Sequence, residues 1–323
     1  MSCFLPSEVD ALVVGGGAAG LSAATWLGRY QRLTLVVDAG QHRNRSTDRV
    51  HGLLGRDPIS PRALIAEARA GLDQYQQVLT HDGAVTTVER TEDSRFLATV
   101  DGTQVTAERI VLATGVRDRL PEITGIGEHY GTDVYHCPAC DGYGARGRTV
   151  IALGSGEHVP AYAAELLDWA HTVCIVTDTT KPAFDETQRA TLSRHGISVV
   201  DGVAQTLIGE PGALEGLRLG DGTMVEADAV FFSYAHHPTN DLAYELGCAL
   251  DDHGQIVVDG YQLTSVDGVY AAGDITPGIQ LVPVAISQGA VAGVACATSL
   301  RGHRTTAHGP APAPPARRFT LER

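Results

Sequence analysis

The sequence predicts an α/β protein with two nucleotide-binding units, and two observations lead to this prediction. Near the N-terminus an apolar run, a Gly-rich turn and a helical pattern follow one another, in the order strand, turn, helix. The same order of elements returns from residue 149 onward, which indicates an internal duplication of one structural plan.

The first unit is predicted from alternating segments within residues 8–115. Ala11–Val14 and Leu33–Val37 are apolar runs typical of strands, and Leu21–Tyr30 between them has a helical pattern. The segments that follow predict a helix, a small antiparallel meander and a buried strand, at residues 61–78, 84–106 and 110–113.

The second unit begins near residue 118. Its predicted strands are short apolar runs at residues 149–153, 172–176 and 229–233. A helix is predicted after the second Gly-rich turn, at residues 157–170. After residue 243, Val269–Asp274 predicts a strand that runs into a Gly-Asp turn, and residues 279–300 predict a long helix. The Pro-rich C-terminal tail, residues 301–323, is predicted to be disordered, or else to be an extended strap that carries Phe319 onto a surface.

Composition excludes some classes of partner. The chain has 323 residues, with 24 Lys+Arg against 38 Asp+Glu, and its formal net charge is −14. This acidity argues against nucleic acid or an anionic membrane as the main partner. The six cysteines are too few for a disulfide-rich secreted scaffold, and the sequence shows neither a signal peptide nor a membrane span. We therefore expect a cytoplasmic protein, in which a close Cys pair is redox-active or metal-bound.

The glycines of the first turn are spaced as in dinucleotide-binding sites. In Gly15-x-Gly17-x-x-Gly20 the first glycine permits a tight turn, the second lets a pyrophosphate approach the backbone, and the third lets helix and strand pack closely. The helix N-terminus then offers N–H groups to the phosphates. Asp38 ends the next strand, where a carboxylate binds ribose hydroxyls. The alternative is a Gly-rich turn in an ordinary α/β unit.

A second feature is the sequence Cys137-Pro138-Ala139-Cys140-Asp141. Two cysteines at this spacing can close a disulfide in one tight turn, and an electropositive setting makes one of them the attacking thiolate. Asp141 is placed to transfer a proton to the leaving thiolate. The alternative is half of a zinc site, but zinc needs four ligands and the remaining cysteines are scattered, at Cys3, Cys174, Cys248 and Cys296.

Taken together, these motifs resemble the low-molecular-weight thioredoxin reductases over about residues 8–300. The resemblance also rests on Ala113-Thr114-Gly115, the second Gly-x-Gly turn and Ala272-Gly273-Asp274. It implies two Rossmann-like domains of three-layer ββα type, the second inserted into the first, and a homodimer. The implied FAD-binding domain comprises residues 1–117 and 243–300, and the inserted NAD(P)-type domain with the Cys pair comprises residues 118–242.

The resemblance also implies roles for single residues. Cys140 would face the flavin, Cys137 would exchange with the external substrate, and Asp141 would act as acid and base. Asp274 would bind the ribityl chain of FAD. The residues implied to bind FAD are Gly15, Gly17, Ala19, Gly20, Asp38, Ala39, Asn44, His51, Val85, Ala113, Thr114, Gly115, Gly273, Asp274 and Val284. No metal is expected.

The second Gly-rich turn departs from the family pattern. Val159 stands where a small residue is expected, Pro160 follows it, and Glu157 places a negative charge near the position of a pyrophosphate. No Arg cluster for a 2′-phosphate follows the next strand, where Asp178 would instead hold the ribose of NADH. The family's Gly-His-x-Pro segment reads Ala235-His236-His237-Pro238. The use of NADPH is therefore doubtful, and we expect NADH or no pyridine nucleotide.

A third region resembles the flavin-dependent dithiol oxidases of the gliotoxin and holomycin type. It reads Gly40-Gln41-His42-Arg43-Asn44-Arg45, followed by His51-Gly52. Such enzymes close a disulfide in a small dithiol and pass the electrons through FAD to oxygen. His136 before the Cys pair suits this branch, either as a base that assists thiol deprotonation or as a polar loop residue. The nearby arginines either bind an anion or form a solvated face, at Arg43, Arg45 and Arg49.

The sequence thus predicts an FAD-dependent dithiol/disulfide oxidoreductase with the Cys137/Cys140 pair as its relay. The favoured direction is oxidation of a small-molecule dithiol with oxygen as acceptor, without NADPH. The alternative is reduction of thioredoxin or a related disulfide, with NAD(P)H or a non-nucleotide donor such as ferredoxin, and with Phe319 covering the flavin. A third hypothesis, a non-catalytic FAD-binding protein, is disfavoured by the intact Cys-Pro-Ala-Cys-Asp sequence.

Overall fold

The computed structural model describes residues 5–180 and 184–301. Phe319 and the tail after residue 301, predicted to be disordered or an extended strap, lie outside the described residues. The described chain forms two compact units. Of the described residues, unit 1 comprises 5–42, Ala63–Val116 and 238–301, and unit 2 comprises Arg43–Arg62, 117–180 and 184–237.

The elements are numbered along the chain. The strands are β1 (Glu8–Val14), β2 (Thr34–Asp38), β3 (Val78–Asp82), β4 (Val85–Arg90), β5 (Phe96–Val100), β6 (Thr103–Leu112), β7 (Val116–Asp118), β8 (Val134–Tyr135), β9 (Thr149–Leu153), β10 (Thr172–Val176), β11 (Ser198–Val200), β12 (Ala204–Glu210), β13 (Ala213–Leu219), β14 (Met224–Glu226), β15 (Ala229–Phe232), β16 (His236–Pro238) and β17 (Val269–Ala271). The helices are α1 (Ala18–Arg29), α2 (Pro61–Leu72), α3 (Ile126–His129), α4 (Pro138–Asp141), α5 (Val159–Leu166), α6 (Glu186–Arg194), α7 (Asp241–Glu245) and α8 (Val282–Ser299), with 3₁₀ turns at Arg43–Ser46 and Gly142–Ala145.

Unit 1 is built in three layers around one sheet. Strands β3, β2, β1, β6 and β17 are paired in parallel, and β6 also pairs antiparallel with β5, which pairs with β4. Side chains alternate across a strand. In β1, Leu12 and Val14 therefore enter the core under the β4–β5 hairpin, and Ala11 and Val13 enter the core under α1 and α8. The predicted α/β class is confirmed in this unit.

Helices α1 and α8 pack against each other at close range. A Cβ atom at Gly289 would overlap the carbonyl oxygen of Ala19, and one at Gly293 would lie 2.9 Å from the Cα atom of Ala23. Among the described helices, α8 alone is long and apolar enough to cross a membrane by length and composition. Its glycines allow this close approach to α1, and a third of this apolar segment is buried inside unit 1.

Unit 2 repeats this plan. Its parallel sheet has the order β11-β10-β9-β15-β8, and β12, β13 and β14 form an antiparallel sheet. In β9, Ile151 and Leu153 face the core shared with this antiparallel sheet, and Val150 and Ala152 face the core shared with α5. Because β8, β9, β10 and β15 are parallel, the residues that follow these strands lie at one edge of the sheet.

The structure differs from the sequence prediction at two places. The helix predicted for residues 61–78 ends at Leu72, and Val78–Asp82 forms β3, an edge strand whose polar and mostly exposed residues hide the strand pattern. Residues 43–62 belong to unit 2, although the prediction includes them in the FAD-binding domain. The guanidinium of Arg43 binds the Asp118 carboxylate, which ties the beginning of this segment to unit 2.

Candidate active site

The first Gly-rich turn closes tightly between β1 and α1. Gly15 has φ +103°, and a Cβ atom there would overlap the carbonyl oxygen of Ala113 at the end of β6. A Cβ atom at Gly20 would overlap the carbonyl oxygen of Gly15. These two positions therefore require glycine because the backbone of the turn and of its neighbour leave no room for a side chain.

The N-terminus of α1 fits the pyrophosphate of a dinucleotide. Its N-cap is Gly17, and no side chain of the described residues caps it. A Cβ atom at Gly17 would meet no atom of the described chain within 4 Å, so the space above the helix end is open. The first N–H groups of a helix carry a partial positive charge and bind phosphate oxygens. The turn thus has open space and N–H donors that suit a pyrophosphate group.

Asp38 lies beside this turn as an ionised acceptor. Its carboxylate is so close to the backbone of Gly16 that a Cβ atom there would lie 2.6 Å from Oδ2. Gly40 N–H and His42 Nε2 each lie 3.0 Å from an Asp38 oxygen. Burial pushes the pKa of Asp38 upward, but the bonds from His42 and Gly40 outweigh it and lower the pKa to about 2. An ionised carboxylate at the end of β2 suits ribose hydroxyls.

Most of the other residues implied to bind FAD also lie in unit 1. A Cβ atom at Gly273 would lie 2.9 Å from the Cβ atom of Ala19, so the Gly-Asp turn touches the first turn of α1. Thr114 Oγ1 donates to the Thr239 carbonyl oxygen at 2.6 Å. Of the remaining positions, Ala39 follows β2, Val85 begins β4 and Gly115 follows β6. Asp274 follows β17, and Val284 lies in the first turn of α8. Asn44 and His51 instead belong to unit 2.

Cys137 and Cys140 form a disulfide in unit 2. They stand at the N-cap and within the first turn of α4, with Pro138 as the first helical residue, and their Cα atoms are 5.3 Å apart. Proline is favoured at this helix position because it needs no N–H donor there. The N–H of Cys140 donates to Cys137 Sγ at 3.1 Å. The predicted redox pair therefore exists as a closed disulfide at the edge where β8 ends.

Asp141 ends α4 in a half-buried position. Burial raises the pKa of its carboxyl to about 6, against an opposing effect of the charge of His51. His51 Nδ1 lies 2.8 Å from Asp57 Oδ1 in the same segment of unit 2. A carboxyl group that titrates near pH 6 can hold and release a proton in the physiological range. In this structure His51, predicted as a flavin contact, acts electrostatically on Asp141.

His136 belongs to a hydrogen-bonded chain that precedes the Cys pair. Its Nδ1 atom lies 2.9 Å from Tyr130 Oη, which lies 2.9 Å from Asp118 Oδ2. Arg43 binds both carboxylate oxygens of Asp118, at 2.6–3.0 Å. The sequence predicted His136 as a site residue and did not decide whether Arg43 binds an anion or is solvated. It gave no signal for Tyr130 and Asp118, because neither belongs to a motif.

Three other cysteines are buried and unreactive. The thiols of Cys174, Cys248 and Cys296 are not in disulfides, and burial raises the pKa of each, to about 12 at Cys296. A thiol must ionise to act as a nucleophile or a metal ligand. Within residues 5–180 and 184–301, no group of three or more His, Cys, Asp or Glu side chains is arranged to hold a metal ion.

Side chains of the chain itself lie against the second Gly-rich turn. The imidazole of His158 lies over the turn, so that a Cβ atom at Gly156 would be 2.5 Å from its Cε1 atom, and its Nε2 atom is 2.7 Å from Ser233 Oγ. Val159 lies against Gly154, whose Cβ position is 3.1 Å from Val159 Cγ2. The open space found at Gly17 in the first turn has no counterpart here.

Asp178 follows β10 at the position considered for the ribose of NADH. One of its carboxylate oxygens accepts the N–H of Ala204 at 2.8 Å, and the other accepts the hydroxyl of Tyr234. Both oxygens therefore bind unit 2 itself, and Asp178 ties β12 and the segment after β15 to the end of β10.

Comparisons with known proteins identify the family of this chain. Residues 9–289 match the model of the pyridine nucleotide-disulphide oxidoreductase family. "Thioredoxin reductase tcpT" of Claviceps purpurea is 31% identical over 302 residues, which cover 90% of this chain and 94% of that protein.

Two solved structures are similar over the same range. HlmI is 32% identical with a TM-score of 0.86, and the match covers 92% of this chain and 94% of HlmI. An oxidoreductase from Agrobacterium tumefaciens is 33% identical with a TM-score of 0.83, and the match covers 92% of this chain and 100% of that one. The chain therefore belongs to the pyridine nucleotide-disulphide oxidoreductase family, as a thioredoxin reductase-like enzyme that acts on disulfides or dithiols.

Proposed function

We propose that this enzyme is an FAD-dependent oxidase that closes a disulfide in a small-molecule dithiol and uses oxygen as acceptor. The observation that carries the proposal is the contrast between the two Gly-rich turns. The first is open above Gly17, whereas the second is covered by the imidazole of His158. One cofactor cradle and one closed disulfide suffice for electrons to flow from thiols to oxygen, without a pyridine nucleotide.

FAD would be held by the first turn, by Asp38 and by the neighbouring residues of unit 1. Bound there, it supplies a two-electron store that is filled from the reduced Cys pair and emptied into oxygen, which becomes hydrogen peroxide. The N–H groups at the start of α1 would bind its pyrophosphate, and the ionised Asp38 would accept hydrogen bonds from its adenosine ribose. We assign FAD binding to unit 1 and the chemistry of the Cys pair to unit 2, so residues 43–62 go with the redox-active insertion and not with the predicted FAD-binding domain of residues 1–117 and 243–300.

The chain's own residues carry out the thiol chemistry. A substrate thiol loses its proton to His136, and the thiolate attacks Cys137 Sγ. The Cys137–Cys140 bond breaks, and Cys140 leaves as a thiolate that Asp141 can protonate. The second substrate thiol, deprotonated in turn, attacks the substrate sulfur of the mixed disulfide and releases Cys137. One dithiol becomes one disulfide, and the enzyme disulfide becomes a dithiol.

Oxygen consumption tests this direction. The full-length holoenzyme is mixed with dithiothreitol as a simple dithiol, and oxygen and hydrogen peroxide are followed together. We expect one peroxide per dithiol oxidised, and no consumption by the Cys137→Ser variant. A flat oxygen trace with wild-type enzyme would overturn the proposal.

The alternative function is reduction of a thioredoxin-like disulfide, with NAD(P)H or a non-nucleotide donor such as ferredoxin. It is favoured by the name of the relative tcpT, a thioredoxin reductase. Anaerobic stopped-flow mixing decides between the two. Under our proposal neither NADH nor NADPH bleaches the flavin band rapidly, whereas dithiothreitol does. Rapid bleaching by either nucleotide would favour the reductase. We further propose a cytoplasmic homodimer, and light scattering of the purified holoenzyme checks the mass of two chains.

A further inference from the structure

We propose that Tyr130 and Asp118 are positioning residues that hold His136 with its proton on Nδ1, so that Nε2 accepts the proton of the substrate thiol. This inference rests on the proposed function, because it concerns the thiol that attacks Cys137. It goes beyond that function by naming the residues that give His136 its tautomer. All four members of the chain, Arg43, Asp118, Tyr130 and His136, lie in unit 2.

The chain begins at an anchored carboxylate. The side chain of Asp118 is 9% exposed, and Arg43 binds it through Nε at 2.9 and 3.0 Å and through Nη2 at 2.6 Å. Burial pushes the pKa of Asp118 upward, but the hydrogen bond from Arg43, the charge of Arg43 and, whenever the imidazole is protonated, the charge of His136 outweigh it and lower the pKa. Asp118 is therefore ionised and can only accept hydrogen bonds.

The Tyr130 hydroxyl connects the Asp118 carboxylate to the His136 imidazole by two hydrogen bonds. Burial and the charge of Asp118 raise the pKa of Tyr130, so its hydroxyl keeps its proton. A hydroxyl has one hydrogen to donate. Because Asp118 Oδ2, 2.9 Å away, can only accept, the hydrogen of Tyr130 points to it. Tyr130 Oη must then accept at its second contact, where His136 Nδ1 lies 2.9 Å away, and that nitrogen carries the proton.

The tautomer decides what His136 can do. A neutral imidazole has one N–H and one basic nitrogen, so a proton on Nδ1 leaves the lone pair on Nε2. When Nε2 accepts the proton, the S–H bond of the substrate breaks, the electron pair stays on sulfur and an imidazolium forms. Asp118 Oδ2, 3.9 Å from Nδ1, stabilises that positive charge.

The surroundings hold the ring and the backbone of His136. Its peptide oxygen accepts the hydroxyl of Tyr162 at 3.2 Å, and its ring centroid is 6.2 Å from that of Phe232. Arg43 lies behind Asp118, and Asp141 acts electrostatically on Tyr130 from the Cys side. The next residue in the chain is Cys137, so the held backbone of His136 leads directly into the disulfide.

Nitrogen NMR of the oxidised holoenzyme, labelled with ¹⁵N-histidine, measures the tautomer without any turnover. His136 is assigned from the spectrum of the His136→Gln variant. We expect the Nδ1–H form in the wild-type enzyme and an increased share of the Nε2–H form in Tyr130→Phe. Tyr135→Phe is the matched control: the hydroxyl of Tyr135 donates to the Thr132 carbonyl oxygen, outside the chain of Asp118, Tyr130 and His136, so its loss should leave the signal unchanged. An Nε2–H form in the wild-type enzyme would overturn the inference.

The pH dependence of flavin reduction separates positioning from a structural role. With dithiothreitol under anaerobic conditions, Tyr130→Phe should reduce its flavin about tenfold more slowly at pH 6.5. Above the pKa of the dithiol, where the substrate supplies its own thiolate, the two rates should converge to within about twofold. Asp118→Asn should behave in the same way, and Asp118→Glu should recover part of the loss. An equal slowing at all pH values would show a structural role and contradict the proposal.

Failure of this inference and failure of the proposed function are distinguishable. If wild-type enzyme consumes oxygen with dithiothreitol but His136 shows the Nε2–H form, the oxidase proposal stands and the positioning role is wrong. If the tautomer is as expected but oxygen is not consumed, the positioning role stands and the direction of electron flow is wrong. Both Tyr130→Phe and Tyr135→Phe keep an aromatic ring, so loss of folding does not obscure the comparison.

Discussion

The backbone N–H of Cys140 donates a hydrogen bond to the Sγ atom of Cys137, 3.1 Å away. The bond exists because Cys137 caps the turn that contains Cys140. A donor fixed on sulfur stabilises a thiolate more than a thiol, since it interacts with the full negative charge. After reduction, Cys137 is thus prepared both to leave from a mixed disulfide and to attack one.

Cys137→Ser is expected to lower dithiol turnover by about a thousandfold or more, because a serine hydroxyl cannot form the mixed disulfide. FAD should stay bound, since its proposed cradle lies in unit 1. Turnover and the flavin absorption of the purified variant are measured side by side. Cys174→Ala serves as the control, because this buried thiol takes no part in the relay. Residual turnover near the wild-type rate in Cys137→Ser would contradict the relay assignment.

Asp141 should give the exchange step a pH dependence near 6. As the acid for the Cys140 thiolate, it must be protonated, so the assisted rate is full below pH 6 and falls as the pH rises through about 6. Asp141→Asn should remove this inflection from the rate of flavin reduction by dithiothreitol.

The same shift affects stability with a defined sign. The pKa of Asp141 in the fold, about 6, exceeds its ordinary value of 3.8, so the folded state binds the proton more tightly than the unfolded state. The free energy of unfolding therefore decreases between about pH 4 and 6. In Asp141→Asn this decrease should be smaller, as measured by thermal unfolding across that range. Asp168→Asn, at an exposed carboxylate, should follow the wild-type curve.

Two glycines of the first turn form a matched pair for FAD binding. A methyl group at Gly17 meets no atom of the described residues within 4 Å, so Gly17→Ala should fold with wild-type stability and yet lose FAD affinity, because the methyl group enters the pyrophosphate cradle. A methyl group at Gly20 overlaps the Gly15 carbonyl oxygen, so Gly20→Ala should also lower the unfolding temperature of the apoprotein. Fluorescence titration with FAD and calorimetry measure the two effects. Wild-type FAD affinity in Gly17→Ala would contradict the cradle.

The two hydrogen bonds of Asp178 should contribute to the free energy of unfolding. Asparagine fits its φ of +52° and its size, but has only one acceptor oxygen for the N–H of Ala204 and the hydroxyl of Tyr234. Asp178→Asn should therefore cost about 1–2 kcal/mol in the free energy of unfolding. Urea unfolding measures this cost, again with Asp168→Asn as the reference. Rescue of the lost stability by NADH would instead show that the position belongs to a nucleotide site.

Local patterns were enough to predict the central strands, the Gly-rich turns and the Cys motif of this chain. The Gly15–Gly20 turn, the Cys137–Cys140 pair and the strand at Thr149–Leu153 depend on residues close together in sequence, whose conformations are set by local sterics and hydrogen bonding. The prediction fails at Val78–Asp82, because an exposed edge strand with polar residues has no apolar alternation to mark it.

The sequence by itself determined the α/β class, the first Gly-rich turn and the Cys137–Cys140 pair. Only the tertiary structure decided the partners of those motifs. Arg43 reaches Asp118 across 75 positions, His158 reaches Ser233 across 75, and Tyr234 reaches Asp178 across 56. The physical reason is that parallel strands distant in sequence bring the residues after their carboxyl ends to one edge of the sheet. At that edge the geometry of hydrogen bonding selects the partners, and no spacing in the sequence specifies them.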